Sequence, residues 1–239
     1  MVSWLGRGSK RGVASLQWPR PAARGLRVNR VELDQFTPDR DVFLGHAAYL
    51  QLALFETLGS AAASAPDTRA KALTGRVATS TLERHRGLVH EIERHGDDPA
   101  AAMEPHITAI DEFGDRIAGR DWYEALLATY VAAGLLNDVF SRLASGLSHD
   151  DRDRVVAILD RDHDEPAIVA KLTRSIEDDP RLASRLALWG RRLVGDTLLV
   201  ARAAISASHE SADDERLEPV FTELIAAHTR RMDALGLTA

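Results

Sequence analysis

The chain is 239 residues long, 45% hydrophobic and 28% charged, with 30 basic against 36 acidic residues and a formal charge of −6. It has no cysteine, which excludes disulfides, thiolate metal sites and thiol catalysis and leaves oxygen and imidazole as the metal ligands on offer. No apolar run approaches the roughly 20 residues of a membrane-spanning helix, and the start lacks a continuous signal-type hydrophobic segment, so a cytoplasmic protein is expected. Ala and Leu dominate the apolar residues, with few aromatic or β-branched runs, a composition that favours helix over sheet.

Residues 1–40 read as a flexible basic arm. Up to Arg30 the chain carries Arg7, Lys10, Arg11, Arg20, Arg24, Arg27 and Arg30 without one acid, so the remainder holds 23 basic against 36 acidic residues, a formal −13. Gly6, Gly8, Gly12, Pro19 and Pro21 break any helical period. The arm is either a solvated tail or a phosphate- or RNA-binding segment with Trp4 and Trp18 available for stacking. The acidic body argues against a broad nucleic-acid surface.

From Asp41 onward the pattern is helical, which makes 41–239 one helical domain. His46 to Ala63 is apolar on nearly every side, as a surrounded helix should be, and stops before Pro66. Thr68 to about His95 follows, with Ala78, Leu82, His85, Val89 and Ile92 on its stripe, and Gly96-Asp97-Asp98-Pro99 ends it. A short helix passes through Met103 and Phe113. Asp121 caps a long helix to about Leu147 with Glu124, Leu127, Val131, Leu135 and Asp138 in line. Ser148 and Asp150 open a helix expected to carry Val156, Asp160 and His163 and to continue past a bend at Pro166. Pro180 opens another with Leu186, Trp189, Leu193, Asp196 and Val200 on one face, and Glu215 to Leu235 forms the last, closed by Gly236. The expected fold is an all-α bundle of five or six long helices without internal repeats. A homodimer is expected from the apolar first helix and the Ala-rich faces.

Several acids interrupt the apolar stripes: Glu56, Glu124, Asp160 with His163, and Asp196. An unpartnered buried carboxylate costs several kcal/mol, so such acids call for a bound cation or an ionic network. Bland alternatives stand beside each. Glu56 has arginines available, Glu124 sits in a first helical turn where the dipole favours an acid, and 160–165 reads equally as a solvated acidic face. Arg192 lies four residues before Asp196, and His85 and His228 fit core histidines.

The segments Asp121-Trp122-Tyr123-Glu124-Ala125-Leu126, Leu186-Ala187-Leu188-Trp189-Gly190-Arg191-Arg192-Leu193-Val194-Gly195-Asp196 and Ala227-His228-Thr229-Arg230-Arg231-Met232-Asp233-Ala234-Leu235-Gly236 resemble the bacterial ferritin-like proteins similar to tRNA-(2-methylthio-N6-isopentenyladenosine) hydroxylase, over about Asp41 to the end of the chain. The resemblance implies a ferritin-like bundle with a carboxylate-bridged di-iron site for oxygen-dependent hydroxylation, and a tRNA or small-molecule substrate. Carried over, Glu124 would be the lone acid of the third core helix, Asp160-x-x-His163 one Glu-x-x-His equivalent, and Asp196 the acid of the fifth. On the first helix the ligand position falls to Gln51 or Glu56, and on the second to Thr81-x-x-Arg84 or Leu82-x-x-His85. A Gln, a Leu and an Arg cannot supply the negative charge that paired irons need, so one half of the site departs from the pattern.

Two readings follow. In the first, Glu124, Asp160, His163 and Asp196 hold iron, with Glu56 or His85 completing the site of an oxygen-using hydroxylase. In the second, the bundle has lost its metal and serves as a binding or dimerisation module. Residue 84 discriminates them: a guanidinium pointing into the core favours the second, one pointing outward leaves room for the first.

Overall fold

The computed structural model describes residues 36–160, 164–206 and 214–238. The chain divides into two units, Met1–Arg30 and Val31–Ala239. The basic arm, apart from its last residues, lies outside the described residues, as does His163.

All regular structure among the described residues is helical. In chain order come α1 (Arg40–Ala63), α2 (Thr68–Arg94), α3 (Pro99–Met103), α4 (Ile107–Ile117), α5 (Trp122–Ala128), a π-helical segment (Thr129–Ala133), α6 (Gly134–Leu143), α7 (His149–Leu159), α8 (Glu165–Asp178), α9 (Pro180–Ser206) and α10 (Asp214–Ala234). None is long and apolar enough to cross a membrane. Side-chain caps open the helices, at Asp121 and Ser148 as expected and at Asp67 as well. The Asp67 carboxylate accepts from Ala70 N–H at 2.7 Å, Asp121 from Tyr123 and Glu124 N–H, and Ser148 from Asp151 N–H. Gly96 follows the end of α2 at φ 87°, a conformation that costs glycine nothing.

Helix α1 is apolar on nearly all sides because it is surrounded. Phe43, Leu44, Ala47, Leu50, Leu54 and Leu58 are buried against the rest of its own chain, with α2 as its most extensive neighbour. Most of the apolar surface of α1 is therefore spent inside the bundle. Helix α2 is amphipathic and buries Leu73, Val77, Leu88 and Ile92. Trp122 is fully buried at the start of α5, its indole N–H donating to Thr74 Oγ1 at 2.7 Å, which ties α5 to α2. Gly45 lets α1 meet α3: a Cβ there would fall 2.0 Å from the Ala102 carbonyl oxygen. Helix α4 buries Ile110, Phe113 and Ile117, at about 1.5–3 kcal/mol each, and packs on α1 and α9.

Two elements differ from the sequence reading. The long helix from Asp121 is interrupted by the π-helical turn at Thr129–Ala133 before α6 resumes. The helix expected to run through Asp160 and His163 instead ends at Leu159, with Asp160 as its C-cap, and α8 starts afresh with Pro166 in its first turn. Proline lacks the N–H that would continue the ladder but suits the first turn of a new helix, so a break replaces the expected bend.

Candidate functional site

The bundle interior carries a polar centre built from facing helices. Gln51 on α1 is 1% exposed, and its side-chain amide donates to Asn137 Oδ1 on α6 at 2.9 Å, while its own Oε1 is buried without a hydrogen-bond partner among the described residues. Arg84 on α2 is 6% exposed. Together with Thr81, Tyr130, Asn137, Asp164 and Glu165 it lines an interior cavity of about 30 Å³, room for a water molecule. The π-helical turn supplies the Thr129 and Tyr130 side of this cavity, and burial, then the nearby Glu165, pushes the Tyr130 phenol upward. Asp164 is itself engaged, accepting from Ser80 Oγ at 2.8 Å and lying 3.7 Å from Arg76 Nε.

This donor set does not suit a pair of bridged metal ions. Such a centre needs carboxylates and imidazoles converging from four helices. Here α1 presents an amide, α2 a hydroxyl and a buried guanidinium, and α6 a second amide, while the carboxylates on the cavity, Asp164 and Glu165, both come from the start of α8. A guanidinium among the would-be ligands repels a cation by the same Coulomb term that carboxylates would supply with the opposite sign.

The predicted ligands occupy separate places. Glu56 is exposed, on the wall of an open cleft of about 550 Å³ that it shares with Asp111, Asp115 and Asp121. His85 is half-buried, its Nδ1–H donating to the Ala48 carbonyl at 2.9 Å. Glu124 is 3% exposed, with Oε2 accepting from Arg120 N–H at 2.8 Å and Oε1 3.3 Å from Arg185 Nη1 of α9, which also reaches Asp121. This is the reach-back of a capping box joined to a cross-helix ion pair. Gly119, at φ 70°, permits the turn, since a Cβ there would meet Glu124 Cβ at 2.7 Å. Asp160 is exposed in its cap position and accepts from Ser141 Oγ at 3.2 Å. Helix α7 ends at Leu159, which leaves Asp160 in the cap, and His163, the other half of the Asp160-x-x-His163 spacing, lies outside the described residues. Asp196 is 19% exposed and sits 3.8 Å from Arg192 Nε, the intrahelical pair expected for it. No three of these groups converge among the described residues.

The group that does converge was not singled out in the sequence: Glu91, His95 and Asp151, whose ligand atoms lie within 4.8 Å of one another. Its signal was present in charge spacing, Glu91 to Arg94 and Asp151 to Arg154 each being three apart, but those positions read as outward and polar. In the fold they clamp α7 to α2. Arg94 reaches Glu91 at 2.8 Å and Asp151 at 2.7 Å, Arg154 reaches Glu91 at 2.9 Å and Asp151 at 2.7 Å, and His95 Nε2 lies 3.0 Å from Asp151 Oδ1. Burial pushes the Asp151 carboxyl up, but hydrogen bonds from Ser148, His95, Arg94 and Arg154 outweigh it and hold the group well below the usual carboxylate range. Two carboxylates face two guanidiniums, so the charge is balanced without a metal ion. The buried acids among the described residues are Glu91, Glu124 and Asp151, and each has an arginine partner.

Two histidine environments are also unusual. His46 and His106 stack with ring centroids 4.7 Å apart, and burial, then the neighbouring His106, pushes His46 down to about 4. His228 is 2% exposed, and neither ring nitrogen is hydrogen-bonded among the described residues, so it is a core histidine without a satisfied ring there. Burial, then Arg231, holds it neutral-favouring.

A family model described as "Ferritin-like domain, actinomycetes" matches residues 35–215, which is more than half of the chain. No curated protein matches it significantly.

Proposed function

The chain belongs to the family of actinomycete ferritin-like domains, and from that premise we propose that it is a metal-independent member that acts as a binding module and not as an oxygen-activating hydroxylase. The observation that carries this reading is Arg84, a guanidinium 6% exposed in the polar interior of the bundle, where a metal-binding relative would need negative charge. The Gln51–Asn137 amide pair supports it by filling the adjoining position with neutral groups. The pairing of each buried acid among the described residues with arginine supports it again, since neutralisation is the physical reason to invoke iron.

The test is elemental analysis of the full chain, purified without an affinity tag from iron-supplemented cells. The expected result is a folded protein with no stoichiometric iron, manganese or zinc and a melting temperature unmoved by chelator. One or two irons per chain would overturn the reading. One observation favours a second reading: Glu91, His95 and Asp151 offer three ligand atoms within 4.8 Å, a metal site if Arg94 and Arg154 withdrew. Metal that is lost specifically in Asp151→Asn would select it.

A further inference from the structure

Every exposed position of α9 from Pro180 to Arg202 is proline, arginine, serine, leucine or glycine, with no acid among them. Leu188 is 67% and Leu199 58% exposed, the two most exposed large hydrophobics among the described residues, and Arg191 and Arg192 lie on the exposed surface between them. Eleven residues of helix separate the leucines, about 16 Å along the axis. In a chain of net negative charge, this face is basic and carries two apolar knobs, so its sign is opposite to that of the chain as a whole.

The complementary surface lies next to it. The 550 Å³ cleft between α1 and α4 is walled by Glu56, Asp111, Asp115 and Asp121, opposed by Arg120, and its floor is made of small residues such as Ala53, Ala61 and Gly114. Helices α4 and α9 pack on each other, and Arg185 of α9 pairs with Asp121 on the cleft wall. Leu188 follows Arg185 by less than one turn, so the basic face begins where the acidic cleft ends. Two complementary patches side by side on one surface suit a two-fold axis between them, because one rotation then makes both contacts at once.

We propose that this chain forms a two-fold dimer in which the basic, leucine-bearing face of α9 docks over the acidic α1/α4 cleft of a second copy. It rests on the reading of the protein as a binding module and names the partner. Each dimer contains the contact twice. Arg191 and Arg192 meet Glu56 and Asp115, which form no ion pair among the described residues, and Leu188 and Leu199 are covered by the partner.

The experiment is sedimentation equilibrium of the full chain, at micromolar concentrations and upward, in low and high salt. The expected result is a dimer that weakens about tenfold or more in high salt, as contacts between charged patches do. The double variant Arg191→Glu/Arg192→Glu is expected to be monomeric, and so is Glu56→Lys/Asp115→Lys. An equimolar mixture of the two is expected to recover the dimer, because one contact is then native and the other charge-reversed on both sides. Circular dichroism checks that each variant is folded, and if a charge variant is not, Leu188→Ser at its exposed position carries the test. A wild-type chain that stays monomeric overturns the proposal and leaves the face to an acidic partner of another kind. A dimer untouched by these variants, or a mixture that fails to re-form it, overturns it as well. Metal content is read separately, so either this proposal or the binding-module reading can fail alone.

Discussion

Replacing Asp151 by Asn removes the charge at the centre of the α2–α7 clamp while keeping the side chain's shape. Oδ1 takes Arg94, Arg154 and His95, and Oδ2 takes Ser148 Oγ at 2.7 Å. Removing one partner of a buried ion pair costs about 3–5 kcal/mol. The Asp151 side chain is 12% exposed but both guanidiniums are 36% exposed, so water recovers part of that, and we expect a loss of about 2 kcal/mol. For a chain of this size that lowers the melting temperature by roughly 4–8 °C. The assay is urea unfolding at neutral pH, with and without EDTA. If the clamp is ionic, wild type and variant differ by the same amount in both buffers. A difference near zero, or a wild-type stability that itself falls with EDTA, would refute the argument. The group's lowered pKa gives a second check by sign. Its contribution is present above the ordinary carboxylate range and is lost as the pH falls through the still lower folded value.

His46 makes the mildly acidic range informative, above the range in which Asp151 titrates. Its pKa is pushed down from 6.5 to about 4, so between those values the unfolded chain binds a proton the folded chain refuses. The stability is intact above pH 6.5 and falls by up to about 3 kcal/mol as the pH drops to 4, and His46→Phe should flatten that part of the profile in a denaturation series. An unchanged slope would show that His46 is not the group responsible. Gly45→Ala puts a Cβ 2.0 Å from a backbone oxygen that cannot rotate away, and should cost about 1–3 kcal/mol by thermal melt. Gly75→Ala, on an exposed face of α2 with nothing within 4 Å, should instead stabilise by about 0.5–1 kcal/mol, and equal effects at both sites would contradict the packing argument.

Much of the helical frame was legible because helix boundaries are local. Asp121 and Ser148 cap the elements they were expected to open, and Gly96 with Pro99 separates α2 from α3, since such residues act on backbone groups two or three residues away. The break between α7 and α8 was misread as a bend because an acidic run before a proline has two local outcomes, and the spacing Asp160-x-x-His163 suggested the continuous one. The π-helical turn in Thr129–Ala133 had no signal at all: nothing in a run of small and aromatic residues distinguishes it from α-helix.

The site was less legible, and for one reason. That acids such as Glu124 sit on apolar stripes follows from periodicity alone, and so does the demand that each be neutralised. Which cation answers depends on side chains far apart in the chain. Glu124 is met by Arg185 from 61 positions later, Glu91 by Arg154 from 63 positions later, and Gln51 by Asn137 from 86. By itself the sequence therefore determined the class of fold, its capped helices and the need for positive charge inside it, all of which follow from neighbours along the chain. Only the tertiary structure decided that the charge comes from arginine and that Arg84 turns inward, because side chains brought together by packing choose their partners by distance in space and not by distance in sequence.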